Sequence, residues 1–151
     1  MRTTIDISKK FNLKKISFNL SKEINEAAKA VVKDHEKRLN FGQGVDGRMM
    51  TKLKPSTVKS KRLRGYKKPR VPLYATGTMK NIRIDKKATS KKQEARLTPP
   101  KSRIDPDPIG VFHQAGSGNL PRREWFGVTE KVEKDLLKTM RIKIDRLLKR
   151  A

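Results

Sequence analysis

The side chains best suited to proton transfer or metal binding are the two histidines and the close pair Asp105 and Asp107, and their settings do not bring them together. His35 falls within a run of helical periodicity, on or beside its apolar face, which is the setting of a packed structural histidine. His113 stands next to Gln114 ahead of a glycine-rich turn, where its ring is placed to hydrogen-bond the loop backbone. Asp105 and Asp107 lie in a loop stiffened by Pro99, Pro100, Pro106 and Pro108, without a third carboxylate to complete a metal site. No phosphate-binding glycine loop, zinc spacing or nucleophile triad occurs. Catalysis needs tuned groups that converge, so the sequence reads as non-enzymatic, with no cofactor and no metal.

Cations carry the chemistry that remains. No acidic residue occurs between Asp46 and Asp85, and Arg48, Lys52, Lys54, Lys59, Lys61, Arg62, Arg64, Lys67, Lys68 and Arg70 crowd that interval, with Tyr66 the one aromatic among them. A solvated loop is one reading. Contact with phosphates or with an acidic partner is the other. The whole chain has 39 Lys and Arg against 15 Asp and Glu, a formal net charge of +24. Such a molecule repels its own copies until counter-charge arrives, so a polyanion or an acidic protein surface is expected nearby. Charge alone favours a sequence-independent nucleic-acid-binding protein of the ribosomal or nucleoid type. Against that stand an aromatic content of only 5% and the lack of helix-turn-helix or single-strand-binding patterns.

The elements that must position these groups follow from periodicity. Residues 3–7 and 16–20 alternate as strands do, broken by lysines, and form a short hairpin or an extended arm. Ser21 offers an N-cap, and Ile24, Ala27, Ala28, Val31, Val32, His35 and Leu39 recur at helical spacing up to Gly42. Glycines at 42, 44 and 47 then end regular structure, and Pro55 permits only a short helix. Strands are expected at 81–85, 94–98 and 109–113, making a small antiparallel sheet. A terminal helix follows Thr129 as N-cap, with Glu130 and Glu133 near its positive end and an apolar face of Val132, Leu136, Leu137, Met140, Ile144, Leu147 and Leu148. The class is α+β, with residues 1–20 as an arm and 21–151 as one domain.

At 34% hydrophobic and 36% charged residues, the core is thin for 151 residues, and a partner that supplies burial is expected. Cysteine is absent, which fits a reducing compartment. No run approaches the roughly 20 apolar residues needed to cross a bilayer, and no apolar leader is evident at the N-terminus, so cytoplasmic synthesis and no membrane partner are expected.

The most shaped stretch is residues 116–127. Gly116 and Gly118 can take positive φ, Pro121 holds Leu120 extended, and Trp125 and Phe126 lead into the terminal helix. Adjacent aromatics at that point anchor the helix to a sheet or anchor a subunit interface. Two upstream stretches line up with it: Gly47, Met50, Leu53 and Thr57, then Leu73, Thr76, Gly77 and Met79. Next come His113, Gln114 and Gly116, and last Pro121, Arg123, Phe126 and Gly127. In this order the chain resembles the tail-completion, or virion morphogenesis, proteins of tailed bacteriophages, the Mu-like group included, over roughly residues 20–150. Met50 stands where that family usually has tryptophan, Met79 where it has leucine, and residues 124–126 are bulkier than its usual Pro-Phe-Leu.

The resemblance implies a structural protein of the phage neck that completes the tail and joins it to the DNA-filled head, present in the virion and in the host cytoplasm during assembly. It implies a ring of copies of this chain, a hexamer or else a dodecamer. The partners would be neighbouring stopper or connector, tail-terminator and tail-tube proteins, with genomic DNA in the lumen as a further contact. Leu120, Pro121, Arg122, Arg123, Trp125 and Phe126 are the expected interface with a subunit or a neighbouring ring, and the ten cations from Arg48 to Arg70 the expected contact with DNA or an acidic partner.

Overall fold

The computed structural model describes residues 19–100, 110–116 and 120–149. The strand expected at 3–7, most of that at 16–20, and Asp105, Asp107 and Gly118 lie outside them. Helix α1 spans Ser21–Phe41. Its start differs from expectation by one residue. Ser21 is already helical, and the side chain of Asn19 accepts both its N–H, at 3.1 Å, and its hydroxyl, at 2.7 Å. Its end is where glycine was expected to place it: Gly42 takes φ 73°, and the Gln43 N–H reaches back 3.0 Å to the Arg38 carbonyl.

The basic interval is an ordered part of the fold. Helix α2, Pro55–Leu63, begins on proline, whose missing N–H costs nothing in a first turn. A 3₁₀ turn, Thr78–Lys80, follows Gly77, which sits at φ 86°. Strands β1, Arg83–Lys86, and β2, Arg96–Thr98, pair antiparallel in a two-stranded sheet with an irregularity between Ile84 and Lys86. The hairpin is fastened to α1 by Asn25, whose side-chain amide exchanges hydrogen bonds of 2.9 and 2.8 Å with the backbone of Ala88.

The strand expected at 109–113 is instead helix α3, Val111–Ala115. Gly110 at φ 92° turns the chain out of extended geometry, and the Gln114 N–H then closes 2.9 Å onto the Gly110 carbonyl. Helix α4, Glu130–Leu148, is about 28 Å long. Thr129 occupies its N-cap position, but the hydroxyl makes no cap and is buried with no partner among the described residues. Lys143 ties α4 to the start of α1 through the Glu23 carboxylate, at 2.7 Å, and the Asn19 carbonyl, at 2.8 Å. The expected apolar face of α4 is only half covered: none of its residues is fully buried, and Leu137 and Leu148 remain 51% and 46% exposed.

The core lies at the C-terminal half of α1. Leu39, Met50, Met79 and Trp125 form its buried cluster, with Leu73 and Phe126 packed against it. The aromatic pair therefore anchors the chain to α1 and its loops, and not to the sheet. Among the described residues, no helix is long and apolar enough to cross a membrane.

Candidate functional site

The three motif stretches are far apart in sequence and meet in this core. Met50 comes from the first, Met79 from the second and Trp125 from the last, in one buried cluster with Leu39 of α1. Trp125 is 2% exposed and donates its indole N–H 3.0 Å to the Gly110 carbonyl. Gly110 leaves no room for a side chain, since a Cβ there would run into the Met79 methyl and stand 2.7 Å from the Trp125 ring.

Gln114 is the clip between α3 and the aromatic pair. Its side-chain oxygen accepts the N–H groups of Trp125, at 3.0 Å, and Phe126, at 3.1 Å, while its amide donates 3.2 Å to the Phe126 carbonyl. Gly116 lets the returning backbone pass, with Arg122 N only 3.0 Å from where a Cβ would be. Arg123 is buried and donates 3.4 and 3.3 Å to the Thr51 carbonyl, tying the last motif to the first. Burial pushes its guanidinium below the usual arginine value.

His35 is fully buried, its ring tilted at 52° to that of Trp125 with centroids 5.6 Å apart, with Nε2 3.1 Å from the Met79 carbonyl and Nδ1 without a hydrogen-bond partner among the described residues. Burial, with Arg38 nearby, lowers its pKa from the ordinary imidazole value, outweighing the Met79 carbonyl and Asp34. His113 sits in α3, not at a strand end. It is lowered likewise by burial and by the Arg123 charge. The hydrogen bond to the loop expected of its ring is made by its backbone carbonyl, which takes the Arg123 N–H at 2.7 Å. Arg38 is buried near His35 in the core, paired with Asp34 at 2.8 Å and donating 3.4 Å to the Trp125 carbonyl. Its burial was not foreseen, although the Asp34 and Arg38 spacing of four was visible.

The six residues expected at an interface divide. Trp125 and Arg123 belong to the chain's own interior and Phe126 is half-buried, while Leu120, Pro121 and Arg122 are exposed. Arg122 pairs with Glu124 on that surface. The ten cations divide too. Lys61 donates 2.8 Å to the Val71 carbonyl, and burial lowers its pKa. Lys68 donates 3.0 Å to the Asn40 carbonyl and lies 4.9 Å over the Tyr74 ring. Lys68 holds the basic interval against the end of α1, and Lys61 ties α2 to the segment that follows it. Arg48, Lys52, Lys54, Lys59, Arg62, Arg64, Lys67 and Arg70 stay exposed, and among the described residues only Arg48 has an acidic neighbour, Asp46 at 3.9 Å.

Among the described residues, no group of three histidine, aspartate or glutamate side chains gathers as metal ligands. What the described residues present is a positive face and a half-covered helix. Comparison with protein-family models, curated proteins and solved structures finds no significant match to this chain.

Proposed function

We propose that this chain is a structural, non-catalytic protein of a phage neck, completing the tail and joining it to the DNA-filled head as one subunit of a ring. The observation that carries the reading is the meeting of the three motif stretches. Residues whose order resembles the tail-completion proteins are those that build the core and its clips, so the resemblance falls on the parts that shape the fold. The uncovered side of α4, with Leu137 and Leu148, is suited to burial against a neighbouring subunit, and Leu120, Pro121 and Arg122 add an exposed edge. The basic face is directed to neighbouring rings or to DNA in the lumen. Within virions, the chain should be found at the head-tail junction by gold-labelled antibody, in a copy number per particle divisible by six. Labelling along the tail or inside the head argues against the neck.

The exposed cations specifically favour a second reading, a sequence-independent nucleic-acid-binding protein. It predicts duplex affinity that falls steeply with salt, the slope following the number of phosphates neutralised. Flat salt dependence removes it.

A further inference from the structure

The exposed cations surround a groove whose floor their charge does not explain. Residues 49–53, one face of α2 from Pro55 to Arg62, and Arg70 with Pro72 enclose an open groove of about 1080 Å³. Its floor is aliphatic: Met50 and Pro72 are buried beneath it, Leu53 and Val58 are half-buried, and Met49 is 67% exposed. Lys52, Lys59, Arg62 and Arg70 stand on its rim, and among the described residues no acidic or aromatic side chain lines it. Among the described residues, none of the four is taken up by an ion pair or hydrogen bond.

The groove is pinned from behind. Arg123 holds the Thr51 carbonyl at 3.3 Å, Lys61 holds the Val71 carbonyl at 2.8 Å, and the Met50 N–H donates 2.9 Å to Gly42. A site whose walls are already fixed loses less entropy on binding. Its volume lies at or above the upper end of small-molecule pockets, about 1,000 Å³. A continuous apolar floor with exposed methionine suits the apolar side of a peptide helix.

We infer that this groove docks a short acidic amphipathic segment of a partner protein, apolar side chains on Met49, Leu53 and Val58 and carboxylates on the rim cations. Nucleic acid fits it less well. Duplex contact uses the phosphates and leaves an aliphatic floor unfilled. Single strands stack on aromatic rings, and the groove has none. The inference rests on the fold around residues 42–72 and is independent of the neck reading, which particle morphology decides.

The test is fluorescence anisotropy on the intact chain at about 0.15 M salt, where distant charges are screened. The probe is a labelled helical peptide of about 15 residues, with leucines at i, i+3, i+4 and i+7 spacing and glutamates elsewhere. Its control keeps every glutamate and replaces leucine by serine. The leucine peptide is expected to bind about tenfold more tightly than the serine peptide. Met49→Glu, at an exposed position, and the pair Arg62→Glu with Arg70→Glu should each weaken it about tenfold, with circular dichroism unchanged. Lys131→Glu with Lys138→Glu, which removes the same charge from α4, should leave the affinity within about twofold. Three results overturn the inference: no saturable binding of the leucine peptide, equal binding of the serine control, or equal weakening by the α4 pair. Displacement of the peptide by a DNA duplex, with duplex affinity lowered as much by Arg62→Glu and Arg70→Glu, overturns it in favour of a nucleic-acid face.

Discussion

His35 shows how one buried side chain sets a pH limit on the fold. Its Nδ1 has no hydrogen-bond partner among the described residues, so a proton there would be a buried charge beside the Arg38 guanidinium, offset only in part by the backbone of Met79 and Trp125 and by Asp34. Its pKa is lower in the folded chain than the ordinary 6.5, so the unfolded chain binds the proton more readily. The stability contributed is therefore complete above about 6.5 and declines as the pH falls below it. His113 shifts the same way, through burial and Arg123. The melting temperature should be level above neutral pH and drop on acidification towards pH ~5, and His35→Gln should flatten that drop. A wild-type profile that stays level to pH ~5 contradicts the account. Glu23 acts in a lower window. Burial raises its pKa, but the Lys143 hydrogen bond and charge prevail, so its contribution is lost only below its ordinary 4.5. Gln114 is the other residue with a large expected effect. Gln114→Leu strips the partners from two backbone N–H groups and a carbonyl, at a cost of about 2–4 kcal/mol in urea unfolding. A loss below about 1 kcal/mol would show that water replaces the clip.

Elements were legible where their signal is local. The spacing of Val31, His35 and Leu39 and the stop at Gly42 give α1, and Val132 to Leu148 gives α4, because periodicity and glycine caps act within a few residues. The run around Val111 and Phe112 looks like a strand, and only the left-handed turn at Gly110, set by packing on Trp125, makes it a helix. The Gln114 clip, the Asn25 clip and the Arg123 pin join residues 11 to 72 positions apart, so no spacing rule points to them. The groove is invisible for the same reason: its walls lie on both sides of α2. Thr129 tests how far a local rule holds. An N-cap threonine ordinarily contributes about 1 kcal/mol, yet this hydroxyl caps nothing and is buried unpaired. Thr129→Val should change stability by no more than about 0.5 kcal/mol, or raise it, by thermal unfolding. A loss of about 1 kcal/mol or more would mean the hydroxyl does cap α4 in solution.

The whole molecule joins a formal charge of +24 to a small buried cluster and a terminal helix with its apolar stripe half open. A chain so charged gains by meeting acidic surface, and a chain with so little interior gains by burying α4 in an assembly. The proposed place, as a subunit of a ring seated between other rings, would meet both needs. Leu137→Glu, at an exposed site, should leave the isolated chain folded and prevent assembly, seen by light scattering as loss of the largest species. The most direct test is electron microscopy of particles assembled without this protein. The account predicts full heads lying apart from tails, with tails over-long if the ring also sets their end; normally joined, infectious virions would contradict it.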